Sequence, residues 1–237
     1  MTNPDTDRLR DLNAAPFNRL PGAVWLLIVT VLGVEALLSA AGWGLVGGAQ
    51  GVGWRIAAIQ DYGYSSAIQQ WMLDNRVFPL RHLLRYATFS FIHGNAMHAL
   101  FGAVLLAALG KVLGERFGTL PFLILALAVP VPAAIAFGLA MGNEQLGWLF
   151  GAMPMAFALV GGFTWMKFHD AGTDRVLRRR AFSMIGLLLA ARLAFGLMVE
   201  SGPGWIAELT AFALGFALSA WVLGPGSWQR MRARIRG

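Results

Sequence analysis

The chain contains no cysteine and carries little charge. None of its 237 residues is Cys and only 13% are charged, whereas soluble domains typically carry about 25% charged residues. The absence of cysteine excludes a disulfide framework, a cysteine-ligated zinc site and a thiol nucleophile. With 57% hydrophobic residues and a mean hydropathy of +0.59, the composition also excludes an ordinary soluble globule, a disordered tail and a fibrous protein. It predicts an all-α polytopic membrane protein.

Six apolar stretches are long enough to cross the roughly 30 Å hydrocarbon core as helices. The predicted spans are 23–45, 93–113, 120–141, 147–168, 182–199 and 205–223. The first follows a polar segment, is too long for a signal-peptide core and lacks a convincing cleavage site, so we expect a retained span. The predicted organisation is an N-terminal cytoplasmic segment (1–22), a membrane domain (23–224) and a basic cytoplasmic tail (225–237).

The positive charges indicate the orientation of these spans. The chain has 19 Lys and Arg against 12 Asp and Glu, but most cations fall in short segments between apolar runs, which indicates topology and no nucleic-acid partner. Four cations, Arg55, Arg76, Arg81 and Arg85, fall on one predicted side. Fourteen fall on the other: Arg8, Arg10, Arg19, Lys111, Arg116, Lys167, Arg175, Arg178, Arg179, Arg180, Arg230, Arg232, Arg234 and Arg236. Both termini are therefore predicted to be cytoplasmic. The preference for Arg over Lys suggests a GC-rich bacterium, hence a bacterial inner membrane.

One long external connection, residues 46–84, joins the first two spans. It mixes aromatic residues with isolated charges, and 65–73 has the composition of a short amphipathic helix. Since an exposed coil of this length would be unusual, we expect structure that lies in the membrane interface.

Five ionisable residues fall within or near the apolar spans: Glu35, His93, His98, Arg192 and Glu208. Ionisable groups at membrane depth are costly, so each indicates either a functional site, a structural ion pair or a side chain that reaches the interface. Small residues form two stripes, Ala207, Ala211, Gly215 and Ser219 in the sixth span and Gly110, Gly114 and Gly118 after the second. These stripes predict close helix packing.

The stretch 83–118 resembles the second-helix region of the rhomboid intramembrane proteases. That family has an Arg before the span, a His, a second His five residues later and an Asn four residues beyond, then glycines on one face and an acid. The corresponding residues here are Arg85, His93, His98, Gly102, Gly110, Gly114 and Glu115. Position 102 is thus Gly where the family has Asn, and Glu115 is about one residue from the usual position of the acid.

The fourth and sixth spans extend the resemblance. The family's G-x-S-G pattern, with a further Gly ten residues after the first, is similar to Gly151–Gly161, but Met153 stands at the nucleophile position and Pro154 at the next glycine. The family's A-H-x-x-G-x-x-x-G pattern is similar to Ala207, Glu208, Ala211 and Gly215, so Glu208 stands at the catalytic His position. The resemblance implies a six-helix bundle and a substrate cavity formed by His93, His98, Gly151, Met153, Pro154, Phe157 and Glu208.

The departures from the family pattern bear on the chemistry that the resemblance implies, a Ser–His dyad assisted by oxyanion donors. A thioether at Met153 has no proton to lose to a base. Glu208 could act as a base but has no hydroxyl at position 153 to activate. Gly102 lacks the amide donor, and removing one such donor typically lowers the rate by about 10²–10³. The sequence therefore predicts a pseudoprotease that requires no cofactor or metal and binds other transmembrane proteins without cleaving them.

Two alternatives remain open. An active hydrolase with a rewired site would use Ser90 or Thr88 as nucleophile and Glu208 as base. Thr164 in the fourth span is too distant to replace Met153, because it lies eleven positions farther along, about 16 Å in a helix. An ion or proton site would use His98 and Glu208. His93 and His98 are not spaced i, i+4, so they do not form a same-face helical metal pair.

Overall fold

The structure is a computed structural model that describes residues 20–142, 147–198 and 202–222, with side chains except at 192–198 and 222. Most of the predicted N-terminal segment, the predicted basic tail and the side chain of Arg192 lie outside the described residues. Within these ranges the helices are α1 (Gly22–Gly42), α2 (Gly48–Gly51), α3 (Trp54–Tyr62), α4 (Ser66–Asn75), α5 (Leu80–Thr88), α6 (Ala96–Phe117), α7 (Thr119–Leu123), α8 (Pro130–Met141), α9 (Met153–Asp170), α10 (Arg175–Ala181), α11 (Ser183–Met198) and α12 (Trp205–Val222). A 3₁₀ turn (Phe89–Phe91), a π-helical turn (Ile124–Ala128) and two short strands, β1 (Tyr64–Ser65) and β2 (Trp148–Leu149), complete the described elements.

Six helical segments correspond to the six predicted spans, and the all-α polytopic fold is confirmed. Three are long and apolar enough by themselves to cross a membrane: Gly22–Gly42, Ala96–Phe117 and Thr119–Met141, which joins α7 and α8 through the π-helical turn. The remaining three, α9, α11 and α12, have 18, 16 and 18 residues. Most of α9 is buried in the bundle, and a helix surrounded by protein need not be apolar throughout.

Two span boundaries differ from the predicted ones for local reasons. The second helix begins at Ala96 instead of residue 93, because the Asn95 side chain caps it by accepting a hydrogen bond from the His98 N–H (2.9 Å). The fourth begins at Met153 instead of residue 147, because Trp148 and Leu149 pair with β1 as an antiparallel strand. Pro154 fits the first turn of α9, where the missing N–H leaves no helical hydrogen bond broken.

Helix α9 lies at the centre of the bundle and packs most extensively against α12. At their crossing, glycines allow the two backbones to touch. A Cβ at Gly161 would overlap the Phe212 carbonyl oxygen, and a Cβ at Gly215 would overlap that of Ala158. Ala211 on the same face is fully buried. The predicted small-residue stripe therefore packs α12 directly on α9.

Adding one methyl group at this crossing should destabilise the bundle. We expect Gly161→Ala to cost about 1–3 kcal/mol, because the new Cβ meets rigid backbone. Gly186→Ala in α11 makes the same chemical change where nothing lies within 4 Å, and should leave stability unchanged or slightly higher. Thermal unfolding of the two variants in one detergent measures the difference; equal melting temperatures would contradict close α9–α12 packing.

A second glycine pair positions α1 against α6. A Cβ at Gly110 would lie 2.9 Å from the Val24 side chain, and one at Gly114 would lie 3.0 Å from Pro21. Glu115, the next residue, is exposed at the end of α6. The family-like glycines thus serve helix packing, while the acid faces outward.

The segment between α1 and α6, which the sequence predicts to be external and which we call the external segment, folds back onto the bundle through α2 to α5. Helix α4 covers all but the first residue of the amphipathic helix predicted at 65–73. Arg85, which is buried, donates hydrogen bonds to the carbonyl oxygens of Gln60 (2.6 Å) and Gly63 (2.9 Å). Strand pairing of β1 with β2 then joins the segment to the connection before α9. The external segment is therefore anchored at the end of the bundle where α9 begins.

Candidate active-site cavity

A cavity of about 470 Å³ opens where α9 and α12 begin. Four side chains singled out from the sequence line it, those of His98, Met153, Pro154 and Glu208; the other lining residues are Gly147, Trp148, Leu149, Phe150, Gly202, Pro203 and Gly204. The fold thus brings together residues from three spans, of which the outermost, His98 and Glu208, are 110 positions apart.

Gly151 allows the His98 ring to lie directly on the backbone. Its φ is +101°, a backbone conformation that residues other than glycine rarely adopt. A Cβ there would lie 2.5 Å from both Cε1 and Nε2 of His98. The Gly151 N–H donates to the Phe89 carbonyl oxygen (2.9 Å), which fixes this turn against the 3₁₀ turn. Gly151 is therefore required both for its φ and for the space above it.

His93 lies behind the cavity and is almost fully buried. Its Nε2 accepts a hydrogen bond from the Ala152 N–H (3.1 Å), so Nδ1 carries the proton in the neutral ring. The rings of His93 and His98 meet edge to face, with centroids 5.1 Å apart. Both histidines thus contact the turn that precedes Met153, His93 through the backbone of Ala152 and His98 through Gly151.

At position 102 the space for a side chain is restricted. A Cβ at Gly102 would lie 3.0 Å from the Ala152 Cβ and 3.7 Å from His93 Nε2. Ala152 therefore occupies part of the space into which a side chain at residue 102 would extend. Position 102 thus has no amide side chain, and α6 packs closely against the turn before α9 at this point.

Glu208 lies in the first turn of α12 and is buried. It shares the cavity with His98 and Met153. The ion or proton site that the sequence suggests at His98 and Glu208 stays a prediction. Arg85 binds carbonyl oxygens of the external segment.

The comparison with known families places these residues in one family domain. Residues 80–225 match the family model described as the Rhomboid domain. The chain belongs to the rhomboid family. The match includes α5 to α12 and every residue that lines the cavity. A search of curated proteins found no match to this rhomboid.

Several predicted residues of this rhomboid lie outside the cavity lining. Phe157 is buried in the main hydrophobic core, because it lies one helical turn beyond Met153 and packs inside the bundle. Ser90 is buried and Thr88 donates to the Tyr62 carbonyl oxygen (2.7 Å); neither lines the cavity. Thr164 is fully buried farther along α9. Among the described lining residues, no side chain carries a hydroxyl or a thiol.

The sequence did not identify the ion pair closest to His93. The Arg55 guanidinium in α3 donates two hydrogen bonds to the Glu35 carboxylate (2.7 and 2.8 Å), one to Ser39 Oγ (3.1 Å) and one to the His93 carbonyl oxygen (2.7 Å). The hydrogen bond to Glu35 raises the pKa of Arg55 above its ordinary value, so the guanidinium keeps its charge throughout the working pH range. The sequence signals for this ion pair were an unexplained acid in a span and the first of the arginines in the external segment.

Proposed function

We propose that this rhomboid-family membrane protein is a pseudoprotease that holds segments of other transmembrane proteins in its cavity without cleaving them. The observation that carries the proposal is the cavity itself. Its volume lies within the range of specific ligand sites, and Met153 and Glu208 occupy it where the family resemblance implies a Ser–His dyad. The site keeps the space for a client and lacks the nucleophile.

Two further features oppose acyl transfer at this site. Pro154 lines the cavity and has no N–H, so the first turn of α9 offers one backbone donor fewer. Gly102 provides no side-chain donor. An oxyanion that forms beside Met153 would therefore lack two stabilising groups, in addition to a nucleophile.

A rewired hydrolase is disfavoured by the positions of its candidate nucleophiles. Thr88 is engaged with backbone carbonyl oxygens of Tyr62 and Leu84, and Ser90 is buried outside the cavity lining. A proton or cation site is the second candidate, since His98 and Glu208 line one cavity. That function would depend on the Glu208 carboxylate, whereas client binding would tolerate Glu208→Gln.

Crosslinking tests client binding directly. A photoreactive residue at position 153, in protein co-reconstituted with a model transmembrane substrate helix, should yield an adduct that contains the intact helix. The matched control carries the same residue at position 104, where Val104 faces outward from α6. Equal adduct yields at the two positions would contradict a client cavity, and a shortened helix would contradict inactivity.

We also propose that both termini lie in the cytoplasm of a bacterial cell, with the membrane domain in its inner membrane. Reporter fusions after Gly172 and after Gly237 should report a cytoplasmic location, because the first lies within a cation-rich segment and the second follows one. A fusion near Gly63 in the external segment should report the opposite side. An external C-terminus would refute the proposed orientation.

A further inference from the structure

A dense cationic surface lies at the opposite end of α9 from the cavity. Helix α10 carries Arg175, Arg178, Arg179 and Arg180, and all four are exposed. We call these residues the arginine cluster. Only twelve residues, 171–182, separate the end of α9 from the start of α11. Because both neighbours are membrane helices and the headgroup layer is about 5–7 Å deep on each side, this short connection lies at headgroup level.

The acids nearest in sequence to the cluster are already engaged. Asp174 accepts hydrogen bonds from the N–H groups of Val176 and Leu177 (2.8 and 3.1 Å) and so caps α10. Asp170 forms an ion pair with Arg116 of α6 (2.7 Å). Within 20–142, 147–198 and 202–222, no carboxylate forms an ion pair with an arginine of the cluster. Arg178 packs over the Phe168 ring at 4.8 Å, a contact that leaves its charge uncompensated.

The same short helix exposes apolar side chains. Val176 is 60% exposed and Leu177 48%, although they lie between the arginines. In water this arrangement would be unfavourable, but at a bilayer surface apolar side chains enter the acyl boundary while cations contact the headgroups. The exposed apolar residues and the uncompensated arginines therefore both favour contact with a bilayer surface.

We infer that the arginine cluster binds the phosphate groups of anionic phospholipids in the surrounding leaflet. A guanidinium forms two parallel hydrogen bonds to phosphate oxygens. In a zwitterionic headgroup an ammonium group near the phosphate offsets its charge, whereas an anionic headgroup has no such cation, so the arginines should prefer the anionic lipid. Each basic residue near an anionic membrane surface contributes roughly a fivefold preference. The full chain should thus retain phosphatidylglycerol over phosphatidylcholine by at least about tenfold.

The test measures lipids retained by the purified full chain. The protein is reconstituted with equimolar phosphatidylglycerol and phosphatidylcholine, released gently into detergent and analysed by native mass spectrometry. Replacement of all four arginines by Gln should lower the retained phosphatidylglycerol ratio about tenfold or more, and added salt should weaken binding to the unmodified protein. Replacement of all four by Lys keeps the charge and should retain most of the preference, while Arg81→Gln in α5, outside the cluster, should change nothing.

Three results would overturn the inference. These are an unmodified protein without lipid preference, a four-Gln variant that keeps the preference, and displacement of the lipid by millimolar inorganic phosphate, which would assign the site to a free anion. If the four-Gln variant does not fold, the pairs Arg175→Gln with Arg179→Gln and Arg178→Gln with Arg180→Gln provide the same test. Each pair should then lose part of the preference, and two pairs with the full preference would refute the inference.

Discussion

Arg55→Gln should lower the thermal stability of the protein by about 3 kcal/mol, or roughly 6–12 °C in melting temperature. The substitution leaves the Glu35 carboxylate, whose side chain is only 6% exposed, without its cation inside a membrane helix. It also removes the hydrogen bond to the His93 carbonyl oxygen. Thermal unfolding in detergent, followed by the fluorescence of the nine tryptophans, measures the change.

A matched control exists in the external segment. Arg81 and Asp61 form an ion pair of similar length (2.6 Å), but their side chains are 70% and 49% exposed. Exposed pairs contribute about 0–1 kcal/mol, so Arg81→Gln should have little effect. Pairing Arg55→Gln with Glu35→Gln should recover part of the loss, since no buried charge is then left unpaired. If Arg55→Gln and Arg81→Gln are equally stable, the buried pair has no special structural role.

Restoring the dyad alone should leave the protein inactive. Met153→Ser with Glu208→His supplies a nucleophile and a base in one cavity, but Pro154 still lacks an N–H and residue 102 still lacks a donor. Adding Pro154→Gly and Gly102→Asn should produce the first measurable cleavage of a rhomboid model substrate, because each recovered donor is worth about 10²–10³ in rate.

The geometry at position 102 refines this design. A Cβ there lies 3.0 Å from the Ala152 Cβ, so an asparagine displaces the turn unless Ala152→Gly is added. We expect the variant with that fifth substitution to be the more active one. The control carries the same substitutions with Met153→Ala in place of Met153→Ser and should be inactive. Cleavage by the control would show that the activity does not depend on a serine at position 153.

The sequence predicted the bundle and the order of its motifs because both depend on local patterns. Apolar length indicated the spans, and the resemblance of Arg85, His93 and His98 to the rhomboid pattern identified the second of them. Pro154 favours a helix that begins beside it, and the fourth helix begins at Met153. The strand pairing between Trp148 and Ser65 joins residues 83 positions apart, and no local pattern reports such a contact.

The same reasoning explains what the sequence missed around the site. Glu35 was recognised as an unusual charge, but its partner lies in another helix, 20 positions along the chain. Phe157 was assigned to the cavity from the family resemblance, whereas it lies one helical turn farther along α9, in the hydrophobic core. The tight contact between residues 102 and 152 depends on how α6 docks against the turn before α9, which the sequence of either alone does not encode.

The most direct test of the central claim is fluorophosphonate labelling of the unmodified protein in lipid, with mass spectrometry to locate any adduct. The probe reacts only with an activated serine and needs no knowledge of a substrate, and it examines every serine of the chain, including Ser201 and Ser227 outside the described residues. A catalytically competent rhomboid in the same lipid serves as the positive control. The account predicts no labelling; stoichiometric labelling of any serine, with cleavage abolished when that serine is replaced by alanine, would contradict it.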